Sequence, residues 1–401
     1  MRYRLAGGAV VFPDGRMAPG VVDVVDGRIE RVFQTGEAPV SAVQETDVTG
    51  FTVAPGFVDI HVNGGGGETF EVATPEGMSK ILATSARYGA TSLVGTLNTA
   101  TNAARTASLE RLRAWRPGEA DLVELLGVYL EGPYYHPEQR GAHPAEWMHD
   151  PDPNEYLPWL DRFGELIRVF SLAPERDGSM ALIRELARRK IVAAVGHSSA
   201  DEAVMDRAIA AGARLVTHHY CAQSTFHRAG ADKHLGVAEV GLMRDDLTVE
   251  VIPDGKHLPP VLLDLILKLK PHDRICVVTD AMQAAGLGPG EYRIMGTTVW
   301  VDEEVAYRAD RQRYAGSILT MDRAVRNLTQ AGVLLADALK MATSVPARTI
   351  GLDDRKGRLA PGYDADLVLL DGKLAVDATV CRGRVAYARG NSPLRAIETD
   401  N

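Results

Sequence analysis

Leu125-Leu126-Gly127-Val128-Tyr129-Leu130-Glu131 is an apolar run that ends on a carboxylate, and four other segments repeat the pattern. Gly56-Phe57-Val58-Asp59-Ile60 leads to His61, Ile191-Val192-Ala193-Ala194-Val195-Gly196 to His197, Arg214-Leu215-Val216-Thr217 to His218, and Ile275-Cys276-Val277-Val278-Thr279 to Asp280. Short runs rich in Val, Ile and Leu, spaced by helix-like stretches, read as buried parallel strands. Strand candidates lie near 55–61, 91–97, 124–131, 167–173, 191–197, 214–219, 247–253 and 274–280, with amphipathic stretches such as Ala181–Lys190 and Pro260–Leu269 between them. This alternation predicts an α/β fold, a (β/α)8 TIM barrel over residues 54–357. An open doubly wound sheet also alternates, but it concentrates its site at one switch point. Here polar residues follow five different strands, as they do at the carboxyl-end face of a barrel.

The two ends of the chain read differently. Residues 1–53 show short strands with turn signals at Pro13-Asp14-Gly15 and Asp26-Gly27, and the tail from 358 to 401 repeats that style. Each piece is too small to bury a core alone, so the two are expected to fold together as one small β-sandwich. The run Gly64-Gly65-Gly66-Gly67 lacks the spacing of a dinucleotide fingerprint and reads as a flexible loop at the barrel mouth.

Composition narrows the function classes. The 401 residues are 45% hydrophobic and 24% charged, enough for one large core and a satellite. With 44 basic against 53 acidic residues, a net charge of -9 and no basic block, the chain does not look like a nucleic-acid binder. No apolar run reaches membrane-spanning length and the start is not a signal region, so the expected compartment is the cytoplasm. Cys221, Cys276 and Cys381 are too few and too scattered for a disulfide framework and read as reduced thiols.

Taken singly, a Glu or His after a strand is more often a helix cap or a hydrogen-bonded rim residue than a ligand. Four suitable residues at four strand ends change that balance. A carboxylate with imidazoles is the N/O ligand set that Zn2+ or Fe2+ takes, with a position left open for water. An ion so held makes water a nucleophile near neutral pH and polarises a carbonyl. Glu131, His197 and His218 are the candidate metal ligands, and Asp280 is the candidate proton shuttle to a leaving nitrogen.

Pro55-Gly56-Phe57-Val58-Asp59-Ile60-His61-Val62-Asn63-Gly64, Glu131-Gly132-Pro133-Tyr134, Gly196-His197-Ser198, Thr217-His218-His219-Tyr220, Val278-Thr279-Asp280-Ala281 and Ala315-Gly316-Ser317 follow one another in that order, with Gly357–Val368 near the end. This order resembles that of the N-acetylglucosamine-6-phosphate deacetylases, a family of the amidohydrolase superfamily. The resemblance implies that Glu131, His197 and His218 hold the principal metal and that Asp280 is general base and then general acid in hydrolysis of an acetamide. It also implies substrate contacts from Ala142 and His143, from His257 in Asp254-Gly255-Lys256-His257, and from Ala315, Gly316 and Ser317. In the family a His-Arg pair, matched by His227-Arg228, reaches the phosphate of a substrate bound in the neighbouring subunit, which implies a homodimer. A guanidinium suits that task because its planar donors match phosphate oxygens.

The departures from the family pattern bear on metal count and substrate. Where many barrel amidohydrolases have His-x-His, this chain has His61-Val62-Asn63, and Asn is a poor ligand for a second transition metal. One tightly held ion is expected, Zn2+ first, with Fe2+, Co2+ and Mn2+ as alternatives, and His61 as ligand of a weak second ion or orienter of water. Cys221 and Ala222 stand where the family usually has an Asn-Ala pair at the phosphate, and a thiol is a weak donor. The expected reaction is conversion of N-acetylglucosamine 6-phosphate to the free amine and acetate. The alternatives are a related amidohydrolase acting on another acetylated sugar or a cyclic amide, and a non-catalytic sugar-binding relative.

Overall fold

The computed structural model describes residues 1–37, 43–294, 297–308, 310–311 and 314–398. Eight strands build the main body: β1 (Phe57–Val62), β2 (Ala90–Leu97), β3 (Glu124–Glu131), β4 (Ile167–Leu172), β5 (Val192–Val195), β6 (Ala213–Val216), β7 (Thr248–Val251) and β8 (Ile275–Val277). Each pairs in parallel with the next along the chain. The ring closes where Val62 bridges Ala281 and the Asp280 N–H donates to the His61 carbonyl at 2.9 Å. All eight predicted strands are present, and the barrel is the predicted one.

Local chemistry explains the alternation. The helix Pro75–Arg87 is capped by Thr74 with Pro75 in its first turn, Thr101 caps Asn102–Ala114, and Asp201 caps Glu202–Ala211. The apolar faces of these helices lie on the strands, so that Ile81, Leu109 and Met205 join Val94, Val128 and Val195 in one core. Inside the barrel, the Thr217 hydroxyl bonds those of Tyr129 at 2.8 Å and Ser171 at 2.7 Å, a polar layer among β3, β4 and the end of β6.

The termini form one continuous sheet in the order 384–388, 376–381, 367–370, 52–55, 2–11, 17–25, 28–34, with 45–47 alongside 2–11. Its strands alternate between two cores. Leu367 and Leu369 enter the small core with Tyr3, Leu5 and Val22, whereas Val368 and Leu370 enter the barrel core. Period-two patterning with both faces apolar makes this sheet a layer pressed on the barrel. The Asp26-Gly27 turn has φ of 47° and 79°, the left-handed pair that a two-residue hairpin takes. Residues 38–42 and 399–401 of the expected terminal unit lie outside the described residues.

Two features depart from expectation. The glycine run is a tight hairpin: Gly64–Gly65 pairs with Glu68–Thr69, and the N–H groups of Gly64, Gly66 and Gly67 donate to the carbonyls of Ala281, Ala285 and Gln283. A Cβ at Gly64 would overlap the Glu68 carbonyl, so glycine is needed for close approach rather than for flexibility. After β8 the chain also forms a four-stranded antiparallel sheet (290–294, 297–301, 306–308, 314–316) before the helix Met321–Gln330. The sequence reading missed it because its strands are short and carry few buried apolar residues.

Candidate metal centre and active site

The parallel barrel places five predicted site residues at or just past the ends of their strands, and their functional atoms converge. His197 Nε2 and His218 Nε2 each lie 3.2 Å from Glu131 Oε1 and 3.1 Å from one another. His143 Nε2 is 3.5 Å from the same oxygen, so the loop after β3 brings a third imidazole to the carboxylate. Glu131, His143 and His197 form a group whose ligand atoms lie within 4.8 Å of one another. His61 Nε2 stands on the other side, 3.6 Å from Glu131 Oε2 and 3.4 Å from Asp280 Oδ1. Glu131, His143, His197 and His218 are buried, and His61 is completely so.

The strand ends are not in strand conformation. His197, His218 and Asp280 have φ of 46°, 23° and 47°, a region that side chains other than glycine seldom occupy. Each turns its side chain out of the ladder towards the barrel axis, and the packing around it sustains the strain.

Electrostatics fix the protonation pattern. Burial works to raise the Glu131 carboxyl, but His143, His197 and His218 outweigh it and hold the group well below the usual carboxylate range. Burial, helped by His143, pushes the His197 imidazole down to about 4. Its Nδ1 sits 2.7 Å from the Gln139 carbonyl, which can only accept. The neutral ring therefore carries its hydrogen on Nδ1 and turns the Nε2 lone pair towards Glu131. Burial acts to lower His61, yet the carboxylates of Glu250, Asp280 and Glu131 prevail and hold it well above the ordinary value. Burial pushes the Cys221 thiol up to about 12, with the charges of Asp280 and Asp254 adding to it. It stays a thiol at neutral pH.

This donor set fits a divalent ion. Tetrahedral bonds of ~2.0–2.2 Å put ligand atoms about 3.3–3.6 Å apart, a little wider than the 3.1–3.2 Å among Glu131 Oε1, His197 Nε2 and His218 Nε2. A lone pair from His197 facing an anionic oxygen within a buried cluster is otherwise unfavourable, and a cation relieves it.

Other predicted residues fall as follows. Asp280 is part-buried, and its Oδ1 accepts from Asn63 Nδ2 at 2.7 Å. His257 Nδ1 meets Asp254 Oδ2 at 2.6 Å, while the Asp254 Oδ1 accepts the N–H groups of Lys256 and His257, each at 2.8 Å. The carboxylate thus fixes both loop and ring. Ala142 is exposed on the loop that carries His143, and Cys221 and Ala222 follow His218 in a tight turn. Ala315 and Gly316 end the inserted sheet, and buried Ser317 bridges Ala281 while its hydroxyl accepts from the Leu319 N–H at 3.0 Å. Arg228 is exposed on the hairpin His227–Ala229/Asp232–His234, where a single chain gives it no part in the cluster.

Asn98, Glu71 and Glu250 lie near the cluster outside the sequence-predicted set, and the sequence marks Asn63 only as a poor metal ligand. Asn63 bonds Asp280 and accepts from Asn98 Nδ2 at 2.8 Å, and Asn98 is held in turn by Glu71 at 2.8 Å. Glu250, fully buried in β7, accepts from His61 Nδ1 at 2.9 Å. A charge inside Thr248-Val249-Glu250-Val251 was the available signal for Glu250, because a parallel strand buried on both faces seldom carries one.

A closed parallel barrel with a buried carboxylate and imidazole cluster at its carboxyl-end face, and a second, part-buried carboxylate beside it, is the arrangement of a metal-dependent hydrolase. Comparison with known proteins agrees. A model of the amidohydrolase family matches residues 52–386. N-acetylglucosamine-6-phosphate deacetylase of Bacillus subtilis (strain 168) is 33% identical over 94% of this chain and 96% of its own. N-acetylgalactosamine-6-phosphate deacetylase of Escherichia coli O157:H7 is 34% identical over 92% and 94%. The crystal structure of N-acetyl-D-glucosamine-6-phosphate deacetylase from Mycobacterium smegmatis superposes with a TM-score of 0.86 at 33% identity, covering 96% of this chain and all of the other. The chain belongs to the N-acetylglucosamine-6-phosphate deacetylase family of the amidohydrolases, and the family implies a divalent metal.

Proposed function

We propose that this protein removes the acetyl group of an N-acetylated amino sugar 6-phosphate, N-acetylglucosamine 6-phosphate first, and releases acetate and the free amine. The observation that carries the reading is the convergence of Glu131, His197 and His218 within 3.2 Å beside Asp280. Glu131, His197 and His218 would hold the ion, Zn2+ in the first instance and otherwise Fe2+, Co2+ or Mn2+. When bound, it supplies Lewis-acid polarisation of the acetyl carbonyl and acidifies water. Asp280 takes the proton of the attacking water as the C–O bond forms and gives it to the sugar nitrogen as the C–N bond breaks. Asn63 occupies Asp280 Oδ1 and leaves Oδ2 for that proton. His143, on the loop after β3, and His257, set by Asp254, would donate to the acetyl oxygen and the sugar hydroxyls.

The galactosamine epimer is a second reading with its own support, because the Escherichia coli relative named for it is as similar as those named for the glucosamine compound. In both readings the phosphate is bound by Arg228 of a second copy in a homodimer, a role suited to its exposed position on the 227–234 hairpin. Cys221 and Ala222, with Ala142 and the 315–317 backbone, would line the remainder of the sugar site. Among the described residues no helix is long and apolar enough to cross a membrane. The test is acetate release by the zinc-loaded protein from both acetylated sugar 6-phosphates and from the same sugars without phosphate. Release from none of them removes the assignment, and release from the unphosphorylated sugars alone removes the role of Arg228.

A further inference from the structure

Glu250 has no part in the reaction as drawn, yet it is among the most completely buried charged side chains of the molecule. It sits in β7 between Val249 and Val251. Its Oε2 accepts from two donors, His61 Nδ1 at 2.9 Å and the His218 N–H at 3.0 Å. Its Oε1 has no partner among the described residues, and no Lys or Arg is paired with it. With one oxygen unpartnered, the buried carboxylate carries a desolvation cost that its pair with His61 offsets only in part and that an apolar side chain in the same place would not incur. Its position accounts for its presence. The two donors belong to the ends of β1 and β6, and His218 is one of the residues held at positive φ. The His61 ring is stacked on Tyr129 at 4.4 Å, so with Nδ1 tied to Glu250 it has one orientation, with Nε2 facing Glu131 and Asp280.

We propose that Glu250 is a positioning residue of the active site: one of its oxygens ties two strand ends together, setting the His61 ring with Nε2 inward and holding the His218 backbone in the turn that aims its imidazole at Glu131. The proposal rests on the reading of His218 as a metal ligand. It extends to β7 the rule that imidazoles around a metal are oriented by a carboxylate behind them, whose loss typically weakens the metal by about 10–100-fold.

Glu250→Gln keeps the size of the side chain and removes the charge. The zinc affinity of the full-length protein, measured by competition with a chromophoric chelator, is expected to fall about 10–100-fold, and kcat to fall with little change in KM. In a His61→Asn background the same substitution should cost less, because only the His218 tie is then left to lose. Histidine 15N NMR on wild-type protein needs no Glu250 variant: the resonance absent from His61→Asn should show a protonated Nδ1 in a strong hydrogen bond. An unprotonated Nδ1, or a Glu250→Gln protein that melts lower but keeps wild-type zinc affinity and kcat, overturns the proposal. A wild-type protein that takes up no zinc overturns the reading of the metal centre itself, and that outcome is told apart because it precedes any substitution.

Discussion

Glu124 opens β3 at the end of the barrel away from the active site, and it is one of the contacts through which the C-terminal segment grips the barrel. Its Oε1 is 2.6 Å from Arg355 Nη2, and its Oε2 is 2.8 Å from Lys356 Nζ and 3.2 Å from Arg382 Nη1. Burial on its own would raise the carboxyl, but Arg355 and Lys356 outweigh it and push the group from 4.5 down to about 2. At ~1.4 kcal/mol for each tenfold change in proton affinity, that gap corresponds to about 3 kcal/mol of stability, and the side chain's partial exposure trims it to about 2–3. The sign follows from the depressed value. The contribution is complete above the unfolded value of 4.5 and is lost as pH falls towards 2. Glu124→Gln, which imitates the protonated acid, should therefore lose about 2–3 kcal/mol near pH 7, and the gap to wild type should narrow as pH falls from 4.5 towards 2, to less than half by about pH 3. With an unfolding entropy of ~2.1 cal/mol/K per residue, the loss lowers Tm by about 2–4 °C. Urea unfolding of both proteins between about pH 8 and pH 3 measures the gap, and acetate release at 25 °C should be unchanged because the substitution is remote from the mouth. A variant as stable as wild type at neutral pH, or a gap that does not narrow on acidification, refutes the reasoning.

Asp280→Asn should keep wild-type zinc content and melting behaviour but lose about 10²–10⁴-fold in kcat, as measured by acetate release, because the proton carrier is gone while the ligands remain. Chelation by EDTA should abolish turnover, and Zn2+ should restore it, with atomic absorption counting about one ion per chain in the restored protein. Asn63→Leu removes the donor on Asp280 Oδ1 and should lower kcat more than it raises KM, whereas equal binding and turnover would place Asn63 outside the mechanism. Arg228→Ala should raise KM about tenfold or more for the phosphorylated sugar and leave the unphosphorylated one unaffected, with sedimentation reporting whether the dimer persists.

The fold was legible where burial leaves a compositional trace. Parallel strands covered on both faces must be apolar along their whole length, so Val128-Tyr129-Leu130 and Val277-Val278 announce themselves, and the polar residue that ends each run marks the carboxyl-end face. The inserted sheet at 290–316 was not legible. It lies outside the main core, and its own cluster is small, with Ala284, Val299, Val301, Ala306 and Ile318 at its centre. The glycine run failed for another reason. Sequence shows that Gly64–Gly67 can turn, but what pins it is hydrogen bonding to carbonyls more than two hundred residues away, which no local pattern records.

The site divides along the same line. Candidate ligands and proton carriers have a chemistry visible in their type, so Glu131, His197, His218 and Asp280 could be proposed one by one from where the strands stop, and the structure brings them together. Residues that orient them are recognisable only through partners. Asn63 is anomalous as a ligand, but it becomes intelligible once Asp280 is 2.7 Å away. Glu250 is anomalous in a strand, and becomes intelligible once two strand ends are found bonded to it. The positive φ of His197, His218 and Asp280 has the same status: nothing in the residue type foretells it, and it costs on the order of 1–3 kcal/mol at each position. Several places where the chain breaks a local rule therefore meet at the mouth of this barrel, each with hydrogen bonds that support it. A barrel selected for stability alone would have an apolar residue at 250 and relaxed strand ends at 197, 218 and 280. Keeping both the strain and the buried charge makes sense only if the geometry they impose is what the chain uses.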